Sequence, residues 1–353
     1  MRTYGRIAMV CMVGLALLIA CPSHAQAAAA KAADAAAWSK EIAPLLTDQI
    51  LAVVRVDVAS INLDAAVKPL DDAAKKAGEA KVSDDPEFAK AKEHLTTLQK
   101  SGAKVMYVLA DESSGSDQPL IAITLGAKAD TAAIAELLEV KLVKPDKISS
   151  IGRFEKGAVE NKGMLLVSSR SVLERTLKAK PAARPDVTKA FAAANGAPVT
   201  IAFVPPKAKM QEAMHMLPSE LPEELGGGST ASLGQMEWLC ITIGLPPKMS
   251  LNFTIQCENA AAAKGLKTLI DTLLAAAEDK IDLVPGPMKS WAEMLLGTMK
   301  DLNFQAKSSA VVGGLNDKQM SSMFVKIWSL YAEAKRDFGG YDDDDDDVIY
   351  DHN

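Results

Sequence analysis

The sequence predicts an α+β fold made of two tandem, pseudo-symmetric halves, each an antiparallel sheet with helices packed on one face. Strand-length runs of β-branched residues alternate with runs of helical apolar periodicity, and this order recurs about halfway along the chain. Removing a predicted 27-residue secretion signal from the 353 residues leaves 326, more than the ~250–300 that one hydrophobic core usually serves. Two domains or two fused halves are therefore expected.

The first 27 residues have the order of a secretion signal. Arg2 and Arg6 precede an uncharged apolar run at 7–20, and the small residues Ala25 and Ala27 follow it. The run of 14 residues is shorter than the ~20 that a helix needs to cross a bilayer. Because no later stretch approaches ~18 consecutive apolar residues, no transmembrane span is expected in the mature chain. We expect an exported protein of the periplasm or cell surface.

Two cleavage sites are compatible with this signal. Ala25-Gln-Ala27 suits ordinary signal peptidase and would leave a soluble product that begins at Ala28. The preceding Leu-Ile-Ala-Cys21 is similar to a lipobox, which would place an N-terminal lipid anchor on Cys21. Pro22 would then directly follow the acylated cysteine, and this favours the soluble product.

Charge is balanced over the body of the chain. The 39 basic residues less two in the signal leave 37, and the 45 acidic residues less seven in the C-terminal 339–353 leave 38, so residues 28–338 carry a net charge of −1. Such a surface has no field that would attract nucleic acid or an anionic membrane. We therefore expect no nucleic-acid partner, and any partner is an unidentified protein or envelope component.

The first half, residues 45–195, is predicted to follow an alanine-rich spacer at 28–44. The β-branched run 50–58 predicts a strand, after which Ser60 can cap a helix. Asp85 followed by Pro86 predicts the start of a second helix. Alternation and capping signals then predict strands at 103–109, 120–125, 148–154, 157–161 and 164–168, a helix at 131–142, and a capping box from Ser171 to Glu174.

The second half, residues 196–338, repeats this order. Ile121, Ile123 and Leu125 have counterparts 130 residues later in the apolar row Leu251, Phe253 and Ile255. The predicted elements are strands at 199–204, 236–245 and 251–257, two short strands within 302–314, a helix at 206–217, and a final helix capped by Asn316 and Gln319. A further amphipathic helix after the hairpin is predicted from the spacing of Leu266, Leu269, Ile270, Leu273 and Leu274. We interpret the recurrence as a tandem duplication.

The two cysteines of the second half are predicted to stay unpaired. In the hairpin 236–257, alternation places Cys257 on the apolar face with Phe253, while Cys240 points to the other face. A disulfide needs converging Cβ vectors, which this arrangement does not give.

Motifs for catalysis are missing from the sequence. It contains no nucleophile elbow, zinc-protease helix, Cys-x-x-Cys, P-loop or dinucleotide fingerprint. His94, His215 and His352 are separated by more than a hundred residues from one another. The glycine run 226–228 follows no strand and is interpreted as a flexible linker. We assign no catalytic residue and expect no cofactor.

Two groups of residues are candidates for metal binding. Met210, Met214 and His215 carry soft donors suited to copper(I), but methionines at this spacing more often fill gaps in a core. The C-terminal 339–353 is predicted to be a disordered acidic tail, because six successive carboxylates repel one another. It could bind Ca²⁺, Mg²⁺ or a basic partner weakly through Asp342, Asp343, Asp344, Asp345, Asp346 and Asp347.

The strand–helix run 121–138 and the strand at 163–173 resemble recurring segments of uncharacterised exported bacterial proteins built from tandem strand–strand–helix units. The resemblance covers residues 45–338 and implies the architecture only, since it carries no catalytic residue. Our leading hypothesis is a non-catalytic binding or structural protein. The alternatives are an exported hydrolase with a dispersed active site, which requires a cleft with converging His, Ser and carboxylate groups, and a carrier of an apolar ligand, which requires an enclosed apolar cavity.

Overall fold

The computed structural model describes residues 37–78, 80–112, 118–152, 155–245 and 249–338. The predicted secretion signal, the first part of the spacer and the acidic tail lie outside the described residues. Within them, the predicted α+β class is confirmed.

A single mixed sheet of eleven strands forms the centre of the described fold. Its order is β10-β11-β9-β8-β7-β1-β2-β3-β6-β5-β4, and only β4 and β5 pair in parallel. The strands are β1 (Ile50–Val56), β2 (Ala103–Asp111), β3 (Leu120–Leu125), β4 (Lys141–Val143), β5 (Lys156–Asn161), β6 (Met164–Ser169), β7 (Val199–Phe203), β8 (Met236–Gly244), β9 (Ser250–Cys257), β10 (Gln305–Lys307) and β11 (Ala310–Leu315).

Helices connect the strands and pack on the sheet. They are α1 (37–42), α2 (Leu63–Ala77), α3 (Pro86–Lys100), α4 (Thr131–Leu137), α5 (Arg170–Lys178), α6 (Pro185–Ala193), α7 (Lys207–Met216), α8 (Ala260–Lys280), α9 (Gly286–Asp301) and α10 (Asp317–Phe338). Part of the predicted spacer is therefore ordered in α1, where Ile42 is fully buried.

The order of the strands is similar on the two sides of the sheet centre. β1 and β7 pair at the middle of the sheet; β2, β3, β6 and β5 follow on one side, and β8, β9, β11 and β10 follow on the other. The helices differ, since α2 and α3 lie between β1 and β2 whereas α7 is the helix between β7 and β8. Pseudo-symmetry of the two halves is not confirmed, and the tandem duplication stays a prediction.

The sheet has two faces, which we call the α2 face and the α6 face. On the α6 face, α1, α5 and α6 cover β1, β2, β3, β5, β6, β7 and β8. On the α2 face, α2, α3 and α4 cover the middle of the sheet, and α8 and α10 cover β9 and β11. The prediction of helices on one face is therefore wrong for the first half, where both faces are covered.

Strand β6 shows why both faces of the first half are covered. Leu165 packs on the α2 face and Leu166 on the α6 face, and both are fully buried. A continuous apolar run of this kind is typical of a strand buried on both sides. On β9, Phe253 packs toward the α2 face against Phe304, and both Phe253 and Thr254 of the α6 face are only half-buried.

Three local predictions in the first half are wrong. Asn62, rather than Ser60, caps α2. The helix predicted over 131–142 ends at Leu137, because Glu139 has φ 54° and so leaves the helical conformation. Residues 148–150 of the strand predicted at 148–154 belong instead to a 3₁₀ helix, Pro145–Ser150, which a proline begins, and 153–154 lie outside the described residues.

The predicted capping box at Ser171 is also wrong. Helix α5 starts two residues earlier than a cap at Ser171 would give, at Arg170, with Ser169 at the N-cap position. The Glu174 carboxylate does not return to the helix start, since its Oε1 accepts from Arg170 Nε at 2.8 Å. The carboxylate therefore contributes an i,i+4 ion pair rather than a cap.

Other local signals are confirmed. Asp85 caps α3 with Pro86 at the first helical position. Before α10, Asn316 N donates to Gln319 Oε1 at 3.0 Å and Gln319 N donates to Asn316 Oδ1 at 3.1 Å, which is a reciprocal capping box. Cys240 and Cys257 are both free and lie on opposite faces of the sheet. Burial raises the pKa of Cys240 to about 12, so it stays a thiol at neutral pH.

The two-sided burial of β6 gives a direct test. Leu165→Ala and Leu166→Ala should each lower the free energy of unfolding by ~2–5 kcal/mol, because each leaves a cavity in a closely packed layer. On β9, Phe253→Ala should be destabilising and Thr254→Ala should change stability by less than ~0.5 kcal/mol. Urea unfolding measures all four. A neutral effect at either leucine would contradict coverage of both faces.

Candidate functional site

Polar residues are buried where the two halves of the sheet meet. Arg55 lies on β1, opposite Tyr107 of β2 and Thr200 of β7 in the strand register. Because paired residues of antiparallel strands point to the same side, all three side chains project onto the α6 face. We call these residues, together with Trp38 and Glu41 of α1 above them, the seam cluster.

Arg55 is 2% exposed and is held by several groups. Its Nη1 donates to Ala197 O at 3.4 Å, and its Nη2 donates to Asp57 Oδ2 at 3.3 Å. The guanidinium carbon lies 3.8 Å from the centre of the Trp38 ring, which is a cation–π contact. The charge is therefore compensated by a carboxylate, a carbonyl and an aromatic face.

Tyr107 connects this group to α1. The phenol is fully buried and donates to Glu41 Oε2 at 2.6 Å. Burial, and then the hydrogen bond to Glu41, raise the pKa of Tyr107 well above its usual value. The phenol is thus a permanent donor at neutral pH, and it fixes the position of α1 over the sheet.

Two atoms of the seam cluster have no hydrogen-bond partner among the described residues. They are Arg55 Nε and Thr200 Oγ1, both fully enclosed by protein. Leaving such groups unpaired costs ~1–3 kcal/mol each. The surrounding apolar contacts of α1 and α6 must offset this cost, so we assign the cluster a role in holding the fold.

Arg184 forms a second polar junction at the other end of the same strand pair. Its Nη1 donates to Thr47 O and Ile50 O at 2.9 Å each, and its Nη2 donates to Val204 O. The guanidinium also pairs with both carboxylate oxygens of Asp186, at 2.7–3.1 Å. One side chain therefore joins the start of β1, the end of β7 and the start of α6.

Two surface depressions lie among the described residues. The first, of about 440 Å³, lies between α2 and α3 and is bordered by an exposed ion pair of Asp64 and Lys92. The second, of about 260 Å³, lies beside α5; Leu109 and Leu120 form part of its floor, and Arg175 lies at its edge. Neither lining includes a histidine, serine or cysteine.

The hairpin of α8 and α9 exposes large apolar side chains. Leu283, in the turn between the helices, is 79% exposed, and Leu273 on α8 is also exposed. On α9, Met288 is 65% exposed and Leu295 is 58% exposed. These two share one side of the helix with Ala292 and Met299, within an arc of about 60° at 100° per residue. We call Met288, Ala292, Leu295 and Met299 the α9 stripe.

The α9 stripe is distinct from the side of α9 that packs on the protein. Met294 is buried, and Trp291 and Thr298 beside it are half-buried. Thr298 also donates to Met294 O at 2.8 Å, as a helix-interior threonine commonly does. Apolar residues therefore cover about half of the helix circumference, but only the side that contains Met294 packs on the rest of the protein.

The predicted metal-binding residues are only partly described. Met210 and Met214 are half-buried on α7, whereas His215 is exposed. In the described ranges, no group of three or more His, Cys, Asp and Glu side chains could hold a metal ion. The acidic residues 342–347 lie outside these ranges. Copper binding and cation binding stay predictions.

The glycine run differs from its prediction. Gly226, Gly227 and Gly228 all have positive φ, and they close a hydrogen-bonded loop in which Leu221 N donates to Gly228 O at 2.8 Å. A residue with a Cβ would be strained at each of these positions. The segment is a structured turn against α8 rather than a flexible linker.

Sequence reasoning did not identify the seam cluster or the α9 stripe. Arg55 could have been noticed as a lone cation within a β-branched strand, since buried arginines require partners. The 4-3-4 spacing of the α9 stripe is also visible in the sequence. The role of Arg184 could not be recognised from the sequence around it, because most of its acceptors are main-chain oxygens that are distant along the chain.

Comparison with known proteins identifies no relative of this chain. No family profile matches the chain, and neither the curated proteins nor the solved structures contain a significant match. Among the described helices, none has both the length and the apolar character required to cross a bilayer.

Tyr107→Phe tests the buried phenol. An unfolded tyrosine has a pKa of about 10, and the raised pKa of Tyr107 means that the folded state holds this proton more tightly. The corresponding stability is fully present below about pH 10 and is lost as pH rises toward the folded pKa. We expect the unfolding free energy of the wild type to fall more steeply above pH 10 than that of Tyr107→Phe. Tyr331→Phe, at an exposed position, should keep the wild-type slope.

Arg184→Lys tests the second junction. A lysine cannot reproduce the forked contacts to Asp186 together with three carbonyls, so unfolding free energy should fall by ~3–5 kcal/mol. Arg170→Lys is the control, because the Arg170 side chain is 41% exposed and makes one carboxylate pair, with Glu174, and one main-chain contact, with Ser149 O, so the change should matter by less than ~0.5 kcal/mol. Equal effects in chemical denaturation would contradict the assigned role of Arg184.

Proposed function

We propose that the chain is an exported, non-catalytic binding or structural protein of the periplasm or cell surface, and that it contacts its partner through the α9 stripe. Export rests on the charge, length and small-residue pattern of the first 27 residues. The binding role is inferred from one observation: Met288 and Leu295 are largely exposed on the same side of α9. Clustered apolar side chains on a surface are typical of interaction sites.

The distribution of polar groups supports the same proposal. The seam cluster and Arg184 use their charges and hydrogen bonds to join strands and helices. Neither depression is fully enclosed, and neither has a histidine, serine or cysteine in its lining. These features favour binding over the two alternatives, an exported hydrolase and a carrier of an apolar ligand.

Site-specific photocrosslinking in intact cells tests the proposal. A photoreactive residue at position 295 should yield a discrete adduct whose second component is identified by mass spectrometry. The control position is 297, on the opposite side of α9, where an added Cβ would meet no atom within 4 Å. Absence of an adduct at 295, or equal adducts at both positions, would contradict a binding role for the stripe.

A further inference from the structure

We propose that the partner of the α9 stripe is a second copy of this chain, packed antiparallel about a two-fold axis. This inference rests on the proposed function, since it names the partner of the same surface. It follows from the spacing of the stripe, the sizes of its side chains, the charges beside it and the area that the hairpin offers.

The spacing of the stripe suits helix–helix packing. Met288, Ala292, Leu295 and Met299 follow one another at intervals of 4, 3 and 4 residues. Alternation of 3 and 4 is the spacing of a coiled-coil seam, in which each side chain inserts between residues of the facing helix. A seam of this kind requires a second helix, and the outer side of α9 has none among the described residues.

The intervals are also palindromic, which makes the stripe complementary to itself. In an antiparallel pair centred between Glu293 and Met294, Met288 of one copy faces Met299 of the other, and Ala292 faces Leu295. The small alanine thus leaves room for the large leucine on both sides of the axis. A two-fold interface requires this property, because each contact occurs twice.

The charges beside the stripe do not oppose self-association. Lys289 Nζ lies 2.7 Å from Asp282 Oδ1, and Lys300 Nζ lies 2.5 Å from Glu278 Oε2. Each lysine is therefore neutralised within its own copy. With Glu293 included, the flank holds three carboxylates and two ammonium groups. An anionic lipid surface would require an excess of basic groups, so a lipid partner fits less well.

The size of the hairpin is adequate for a dimer. At 1.5 Å per residue, α8 is about 32 Å long and α9 about 24 Å long. Two such helices side by side have roughly the dimensions of one half of a four-helix bundle, and a standard interface takes ~800 Å² from each partner. Leu273 of α8 and Leu283 in the turn are exposed apolar residues of the same hairpin.

Sedimentation velocity over a range of protein concentrations tests this inference on the exported chain. The wild type should reach twice the monomer mass, and both Leu295→Glu and Met288→Glu should weaken the dimer at least ~100-fold, since each buries an unpaired carboxylate. Met216→Glu is the matched control, because Met216 is a methionine that is 79% exposed on a different helix, α7. Circular dichroism verifies that each variant folds.

Cysteine crosslinking supplies an independent measurement. Ala292→Cys should give a covalent dimer with a short bismaleimide, whereas Gly297→Cys should not. The native Cys240 and Cys257 are buried and do not compete. A monomer at every concentration, a dimer insensitive to Leu295→Glu, or equal crosslinking at 292 and 297 would overturn the inference. If photocrosslinking at 295 captures a different protein while the purified chain stays monomeric, only this inference fails; if it captures nothing, the proposed function fails as well.

Discussion

Strands β1 and β7 pair at the centre of the sheet, and every other strand is attached to the fold through one of them. The pairing runs from Ala52 opposite Phe203 to Val56 opposite Val199. Arg184 ties the start of β1 to the end of β7, and Arg55 reaches the main chain just before β7. The continuity of the sheet therefore depends on one short ladder that is fixed at both ends by buried cations.

Helices reinforce this ladder from both sides, by different means. On the α6 face, Trp38 of α1 packs edge-on against Phe191 of α6. The Trp38 ring also contacts the Arg55 guanidinium, so α1 and α6 together enclose the polar groups. On the α2 face, α10 crosses from the second half to α2 in the first, and Trp328 Nε1 donates to Ala80 O at 3.0 Å.

Much of the fold could be predicted from local signals. Alternation placed strands β2, β3, β8 and β9, and side-chain caps placed the starts of α3 and α10. Coverage of the α6 face could not be predicted from local signals, because it depends on contacts between distant strands and α6, whose sequence was assigned no helix. The early end of α4 is a local event at Glu139, whose φ of 54° leaves the helical conformation, but the residue type does not indicate it. The consecutive Leu165 and Leu166 were the one local sign of burial on both sides.

The candidate surfaces were harder to predict than the fold. Arg55 stands out within β1, but its partners Trp38, Glu41 and Ala197 come from segments that alternation and capping do not connect to it. The exposure of the α9 stripe depends on which side of α9 packs on the protein. In the folded chain that side contains the buried Met294. Composition alone could not separate the docked side from the exposed one.

The central ladder also has a consequence for biosynthesis. Arg55 and Ala197 are 142 residues apart in sequence, so β1 has no β7 beside it until more than half of the chain has been made. Ribosomes deliver the amino-terminal portion first, at ~5–20 residues per second. During that interval the β-branched edge of β1 is unpaired, and such an edge readily recruits strands from other polypeptides. The nascent first half therefore has a period of aggregation risk that ends when Val199–Phe203 emerges.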